Sequence, residues 1–163
     1  MRSGVRLGID VGRARVGVAR SDFHGVLATP VETVTRSATG ESDVNRILEI
    51  ASELDAFEFV VGLPLSLSGG STPSTADAED FAVRCLRAAE AANHAISVRM
   101  IDERLTTVSA QSALHRTGRN TKNSRPVIDQ VAAVILLQHA LDSERSSGRP
   151  PGSVVDPNQG THQ

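Results

Sequence analysis

The acidic residues that could do chemistry lie at three separated positions, and the first of them is the most unusual. Asp10 interrupts the aliphatic run of residues 5–11, which has the composition of a strand buried on both faces. An isolated buried charge is costly, so this carboxylate must be paired, hydrogen-bonded or bound to a metal. One alternative is that the backbone N–H groups of residues 12–15 satisfy it. Nearby glycines at positions 8, 12 and 17 would let a bulky group approach, which favours a site.

The other two acidic positions could reach the same edge of a sheet. Asp102 and Glu103 directly follow a second aliphatic run, and Asp129 follows Pro126 in the first turn of a predicted helix. Taken alone, each of these acids could simply stabilise the positive N-terminal end of a helix. Because alanines share the helix face of Asp129, that helix can lie close to the sheet and bring Asp129 toward Asp10.

Carboxylates gathered at one edge would suit hard divalent ions such as Mg²⁺, which prefer oxygen ligands and keep some of their waters. Two such ions about 3.5–4 Å apart can activate a water and stabilise the leaving oxygen in an in-line displacement. Without metal, the clustered carboxylates would repel one another, and the pKa of at least one should rise. The three positions therefore predict a metal-dependent phosphodiesterase site of the two-metal type.

Two successive patterns must position these acids. The strands are expected at residues 5–11, 15–20, 27–34, 57–62 and 96–101. The helices are expected around residues 44–54 and 78–89, and at about 107–117 and 126–145. Short connections make the first three strands an antiparallel meander, whereas the later strands alternate with helices and form parallel units. We therefore expect an RNase H-like α/β fold, with a five-stranded mixed sheet covered by helices on both faces.

The composition is that of one domain with an aliphatic core, since 163 residues contain four Phe and neither Tyr nor Trp. We expect a nuclease domain over residues 1–145 and a disordered tail over residues 146–163, where Ser, Gly, Pro and Gln predominate. We find no signal-peptide pattern and no apolar run near the roughly 20 residues of a membrane span. The lone cysteine, Cys85, fits a core position in a reducing compartment. These observations predict a cytoplasmic protein without membrane contact.

The positions of the basic residues say more about a nucleic-acid partner than the net charge of −2 does, because the acids of an active site would offset the positive charge of those residues. The absence of Tyr and Trp argues against an aromatic platform for single strands and favours recognition by shape and backbone. The residues expected to contact phosphates are Arg13, Arg15, Arg104, Arg119, Lys122 and Arg125. For residues 118–125, an ordinary solvated basic loop is the alternative.

Several short segments together resemble the YqgF/RuvX family of RNase H-like proteins, which are related to Holliday-junction resolvases. These segments are residues 8–12 with 15–19, then 61–64, 102–107 and 128–133, in family order over roughly residues 5–142. The resemblance implies that Asp10, Glu103 and Asp129 form the metal site, with Asp102 the nearest competitor to Glu103, and that Mg²⁺ or Mn²⁺ is the cofactor. Residues 13–14 depart from the family, which often has a hydroxyl residue after the glycine.

The same resemblance implies a role in processing the 5′ end of precursor 16S ribosomal RNA. We expect a monomer or homodimer that acts on this RNA, free or in a pre-ribosomal particle. A Holliday junction resolvase-like endonuclease acting on branched DNA is one alternative. A non-catalytic RNA-binding factor for ribosome assembly is the alternative from another class, and the presence of all three acids weighs against it. A Walker A phosphate loop is excluded, because no Lys-Ser/Thr pair follows Gly17.

Overall fold

The computed structural model describes residues 1–105 and 121–156, and for residues 105 and 121–127 it describes the backbone alone. The strands are β1 (Val5–Val11), β2 (Arg15–Ser21), β3 (Ala28–Thr35), β4 (Ala56–Leu63), β5 (Ser97–Asp102) and β6 (Ser153–Val154). The helices are α1 (Ser42–Leu54), α2 (Pro73–Ala91) and α3 (Thr121–Ser147), and a 3₁₀ turn (Glu103–Leu105) follows β5.

The strands form one mixed sheet in the order β3-β2-β1-β4-β5-β6. β1, β2 and β3 pair as an antiparallel meander, whereas β4 is parallel to both β1 and β5. This arrangement confirms the predicted α/β class and the predicted antiparallel meander followed by parallel strands. It also brings the carboxyl ends of β1, β4 and β5 to one edge, where ligands bind in open sheets of this kind.

Two hydrophobic clusters pack on opposite faces of the sheet. One cluster includes Phe59 of β4 and Phe81 of α2, and the other includes Val60 of β4 and Leu137 of α3. Alternate residues of β4 therefore point to opposite helix layers, which explains the unbroken apolar run over residues 59–61. Cys85 lies fully buried in the first cluster, as its helix pattern predicted, and burial raises the pKa of its thiol.

The sheet has one more strand than the sequence predicted. β6 lies within the segment predicted to be a disordered tail, and it pairs antiparallel with residues 99–100 of β5. Val155 follows it, buried, and its backbone N–H donates to the carbonyl of Val98 at 2.8 Å. Two valines among Ser, Gly and Pro are too short a pattern to indicate a strand. The strand forms because the edge of β5 provides hydrogen-bonding partners for it. Residues 157–163 lie outside the described part of the chain.

The last helix begins earlier than predicted. α3 starts at Thr121 and includes Pro126, so Lys122 and Arg125 lie on a helix and not in a basic loop. The helix predicted at residues 107–117 and the candidate phosphate contact Arg119 both lie outside the described residues. Among the helices that the structure describes, none is long and apolar enough to cross a membrane.

A buried ion cluster ties the amino ends of β1 and β4 to the end of α3. Arg2 donates to both carboxylate oxygens of Glu58 at 2.8 and 2.9 Å, and to Glu144 at 2.9 and 3.0 Å. Arg6, 1% exposed, forms a further ion pair with Glu144 at 3.3 Å. Because the carboxylates and Arg6 are almost fully buried, removing one partner would leave an uncompensated charge in the core.

We expect Glu144→Gln to lower the free energy of unfolding at pH 7 by about 3 kcal/mol, the usual cost of breaking a buried ion pair. Hydrogen bonds from Arg2 lower the pKa of Glu144 from its ordinary 4.5 to about 2. An acid with a depressed folded pKa contributes stability above pH 4.5, and this contribution is lost as the pH falls toward 2. Chemical denaturation should therefore show a shallower acid-induced fall in the variant than in the parent. Equal slopes in that pH range would contradict the prediction.

The matched control is Glu90→Gln, which neutralises an exposed acid on α2. Its free energy of unfolding should stay within about 0.5 kcal/mol of the parent, as for most surface substitutions.

Candidate active site

Asp10 stands near the end of β1, opposite Gly17 of β2, with buried Ile9 directly before it. Its pKa is raised well above the ordinary value by burial, by a side-chain hydrogen bond with Glu103 and by the negative charges of Glu103 and Asp129. A hydrogen bond between two carboxyl groups needs a shared proton, and burial beside two other acids favours the protonated form of Asp10. The structure therefore brings Asp10 and Glu103 into contact and places Asp129 close enough for its charge to act on Asp10.

Glu103 reaches Asp10 across the intervening strand. It lies in the 3₁₀ turn after β5, and β4 separates β5 from β1 in the sheet. A Cβ added to Gly62 of β4 would lie 3.0 Å from Cγ and 3.1 Å from Cδ of Glu103. Gly62 therefore provides the space through which the Glu103 side chain crosses the sheet. This role was not predicted from the sequence, although a glycine inside a strand can indicate close approach by another group.

Asp129 is positioned by direct contact between α3 and the sheet. A Cβ at Gly17 would overlap the backbone carbonyl of Asp129. A Cβ at Gly8 would lie 2.7 Å from Cβ of Leu137 and 2.9 Å from the carbonyl oxygen of Ala133. The bulky group that the glycines of β1 and β2 admit is therefore the backbone of α3. The predicted close packing of this helix is confirmed, and it carries Asp129 to the carboxyl edge of the sheet.

Asp102, the predicted competitor of Glu103, is engaged elsewhere. Arg104 donates from Nη2 to Oδ2 of Asp102 at 2.6 Å and from its backbone N–H to Oδ1 at 2.9 Å. These hydrogen bonds lower the pKa of Asp102. The acid that the structure places against Asp10 is therefore Glu103, and Asp102 instead orders the turn after β5.

The predicted phosphate contacts differ in where the structure places them. Arg15 forms an ion pair with Asp129 at 2.8 Å, while Arg13 is exposed on the same turn. Arg104 is committed to Asp102, with a longer hydrogen bond of 3.4 Å to the carbonyl of Leu67. Lys122 and Arg125 lie in the backbone-only part of α3, and Arg119 lies outside the described residues. Arg13 and Arg15 are therefore the predicted contacts nearest the acids.

Arg36, which the sequence analysis did not select, fixes the turn that carries these two arginines. Its Nη1 donates to the carbonyl of Gly12 at 2.8 Å, and its backbone N–H donates to the carbonyl of Ala14 at 2.9 Å. The guanidinium also pairs with Asp77 of α2 at 2.9 Å and lies 5.1 Å from the ring centre of Phe81. Nothing in the local sequence around residue 36 indicates this role, because every partner comes from another element.

The chemistry of the donor set fits a hard divalent cation, since the three side chains supply only carboxylate oxygens. Among the residues that the structure describes, no group of three or more His, Cys, Asp or Glu side chains is arranged to hold a metal ion. Asp10 and Glu103 share a hydrogen bond, and Asp129 is paired with Arg15. The geometry therefore brings two acids into contact and holds the third nearby on a guanidinium.

Comparisons with known proteins agree on one family. The model of the RuvX family, described as Holliday junction resolvase, matches residues 4–143. A Clavibacter sepedonicus protein assigned by name as a pre-16S rRNA nuclease is 60% identical over 159 residues, covering 98% of this chain and 96% of that protein. A protein of Leifsonia xyli subsp. xyli assigned the same name is 58% identical, covering 98% of this chain and 99% of that protein.

The fold is also found in solved structures. Thermus thermophilus RuvC in complex with a Holliday junction substrate aligns with a TM-score of 0.54 at 20% identity, covering 91% of this chain and 99% of that one. A second structure of Thermus thermophilus RuvC aligns with a TM-score of 0.52 at 18% identity, covering 90% and 99%. At these identities the likeness concerns the fold alone, and it confirms the predicted RNase H-like architecture.

Proposed function

Because the chain belongs to the RuvX family, we propose that it is a metal-dependent nuclease that removes the 5′ extension of precursor 16S ribosomal RNA in the cytoplasm. The observation that carries the proposal is the contact between Asp10 and Glu103 beside the charge of Asp129. Three elements far apart in the chain place these acids at the edge where ligands of open sheets bind. Relatives over nearly the full length of the chain carry the name of a pre-16S rRNA nuclease.

We assign the three acids to cation binding and the two arginines of the β1–β2 turn to the substrate. Asp10, Glu103 and Asp129 would hold Mg²⁺ or Mn²⁺, and their number suits a pair of ions. When bound, such ions would supply a water of lowered pKa and would stabilise charge on the phosphate. Arg13 and Arg15 would contact phosphates of the RNA, since guanidinium groups match phosphate oxygens bidentately. Arg36 positions the turn on which both arginines stand.

The second candidate is cleavage of branched DNA, which the description of the family model favours. Both substrates present a structured phosphate backbone, and the acid site would act on either in the same way. The choice between them depends on contacts beyond the acids. RNA is the preferred substrate in this proposal because the relatives that match over almost the whole chain are named for it.

The test compares two substrates in three conditions: a 16S RNA with its 5′ extension and a four-way DNA junction, each in Mg²⁺, Mn²⁺ and EDTA. We expect the parent to cut the RNA extension in either metal and not in EDTA. Asp129→Asn should lose this activity. Asp142→Asn, which changes an exposed acid on the same helix, should keep it. In cells depleted of the protein, precursor 16S RNA with unprocessed 5′ ends should accumulate. Only catalytically active forms of the protein should restore processing.

The opposite outcomes separate the alternatives. Efficient cutting of the junction with no cutting of the RNA would replace the ribosomal role by that of a resolvase. Binding of RNA without cleavage in either metal would favour a non-catalytic assembly factor and would overturn the assignment of chemistry.

A further inference from the structure

Arg15 makes a contact that a simple phosphate-binding role does not explain. It opens β2, where its backbone pairs with Thr35 of β3 and its carbonyl accepts from the N–H of Gly12 at 2.9 Å. From this fixed backbone its Nε donates to Oδ2 of Asp129 at 2.8 Å. The side chain predicted to hold a phosphate is therefore held by one of the acids proposed to hold the cation.

The ion pair uses only part of what each group offers. Asp129 accepts its hydrogen bond from Nε of Arg15, which leaves the terminal nitrogens Nη1 and Nη2 outside this contact. The side chain of Arg15 is 33% exposed and that of Asp129 is 21% exposed. A guanidinium can donate two parallel hydrogen bonds to a carboxylate or a phosphate, so a single bond through Nε is an incomplete match. The side chains of Arg15 and Asp129 are therefore both accessible to solvent and to ions or phosphate groups in solution.

A divalent cation and Arg15 would compete for Asp129. Both carry positive charge, and like charges repel strongly at the separation of two ligands on one carboxylate. A nucleic-acid phosphate offers the guanidinium two oxygens in the geometry that it prefers. Transfer of Arg15 from Asp129 to a phosphate would therefore remove the competing charge and free the carboxylate in one movement.

We propose that Arg15 is a gate on Asp129: it occupies this carboxylate until a substrate phosphate takes the guanidinium, so that nucleic acid and divalent cations bind cooperatively. The inference rests on the proposed function, because it takes Asp129 as a cation ligand. Coupling between two ligands is reciprocal, so cations should also tighten phosphate binding. Arg15 would therefore contact the phosphate directly and affect cation binding through Asp129.

The test measures Mn²⁺ affinity of the full chain by electron paramagnetic resonance of free Mn²⁺. The phosphate probe is thymidine 3′,5′-bisphosphate, which has phosphates but no internucleotide bond to cut. We expect Arg15→Gln to bind Mn²⁺ about tenfold more tightly than the parent without the probe. The probe should raise the affinity of the parent by about tenfold and that of Arg15→Gln by less than about twofold.

Arg20→Gln is the matched control, because it removes an equal charge from an exposed position near the other end of the same strand. Its Mn²⁺ affinity should change by no more than about twofold, as expected of an exposed charge screened by solvent. If Arg15→Gln does not fold, Arg15→Lys decides, since it keeps the charge without the planar guanidinium. It should bind Mn²⁺ more tightly than the parent and show weaker coupling to the probe.

The failure of this inference differs from the failure of the proposed function. If Asp129→Asn loses Mn²⁺ but Arg15→Gln binds it no more tightly than the parent, the gate is wrong and the metal site stands. If Asp129→Asn and Asp10→Asn both bind Mn²⁺ as the parent does, the acids are not the metal site and the proposed function itself fails.

Discussion

Asp10→Asn is expected to reduce metal-dependent cleavage on the order of a thousandfold, the scale of losing one strong electrostatic group from an active site. The same change should raise the free energy of unfolding at neutral pH. The folded protein raises the pKa of Asp10 through burial and the neighbouring charges of Glu103 and Asp129. An acid with a raised folded pKa lowers stability as the pH rises above its unfolded value, and asparagine removes that penalty. Activity and stability should therefore move in opposite directions.

Two measurements check this expectation together. Cleavage of the 5′-extended RNA gives the loss of activity, and chemical denaturation at pH 7 without metal gives the change in stability. Added Mn²⁺ should raise the melting temperature of the parent and have little effect on Asp10→Asn, because only ligands that bind the folded state stabilise it. A variant that cuts as fast as the parent would end the assignment of Asp10 to the chemistry.

Gly17→Ala is expected to lower the free energy of unfolding by about 3 kcal/mol, the upper end of ordinary overpacking costs. The added methyl group would overlap the backbone carbonyl of Asp129. Backbone atoms cannot rotate away as a side chain can, so α3 must move off β2. Because the same helix segment carries Asp129, Mn²⁺ affinity should fall even in the fraction of molecules that remains folded.

The matched control is Gly40→Ala. Gly40 lies in an exposed segment before α1, and its added Cβ would lie 3.6 Å from the hydroxyl oxygen of Ser37, an ordinary contact. Its free energy of unfolding should stay equal to that of the parent or rise by up to about 1 kcal/mol, since alanine restricts the unfolded chain. Denaturation curves of the two variants and the parent provide the comparison. A Gly17→Ala protein as stable as the parent would show that helix and sheet are not in direct contact there.

The strands that carry the site could be predicted because the sequence patterns that indicate them are local. The aliphatic runs of β1 and β5, and the short connections of the meander, determine which strand ends meet. Asp10 stood out because a charge within such a run needs a partner. The choice between Asp102 and Glu103 was different, since both follow β5 directly. Only the 3₁₀ turn and the pairing of Arg104 with Asp102 turn Glu103 toward Asp10.

Other features depend on contacts between distant segments, and no local pattern reports them. Arg36 pins the β1–β2 turn through partners on α2 and on the turn itself. Gly62 matters because Glu103, far along the chain, crosses above it. The same holds for Glu144, whose partners lie at the other end of the sequence. In each case the sequence shows the residue type, but it does not show which distant residue contacts it in the folded protein.

The two borders of the sheet bear on how this protein avoids unwanted association. Unpaired strand edges can template the addition of strands from other chains, which is a common start of aggregation. On one border, β3 contains Pro30, which lacks a backbone donor, and Glu32, held by Arg46 at 2.8 Å. On the other border, β6 covers part of β5 and is itself only two residues long. In the described part of the chain, Pro30 interrupts the row of donors on one border and β6 covers part of the other, which reduces the edge open to a strand from another chain.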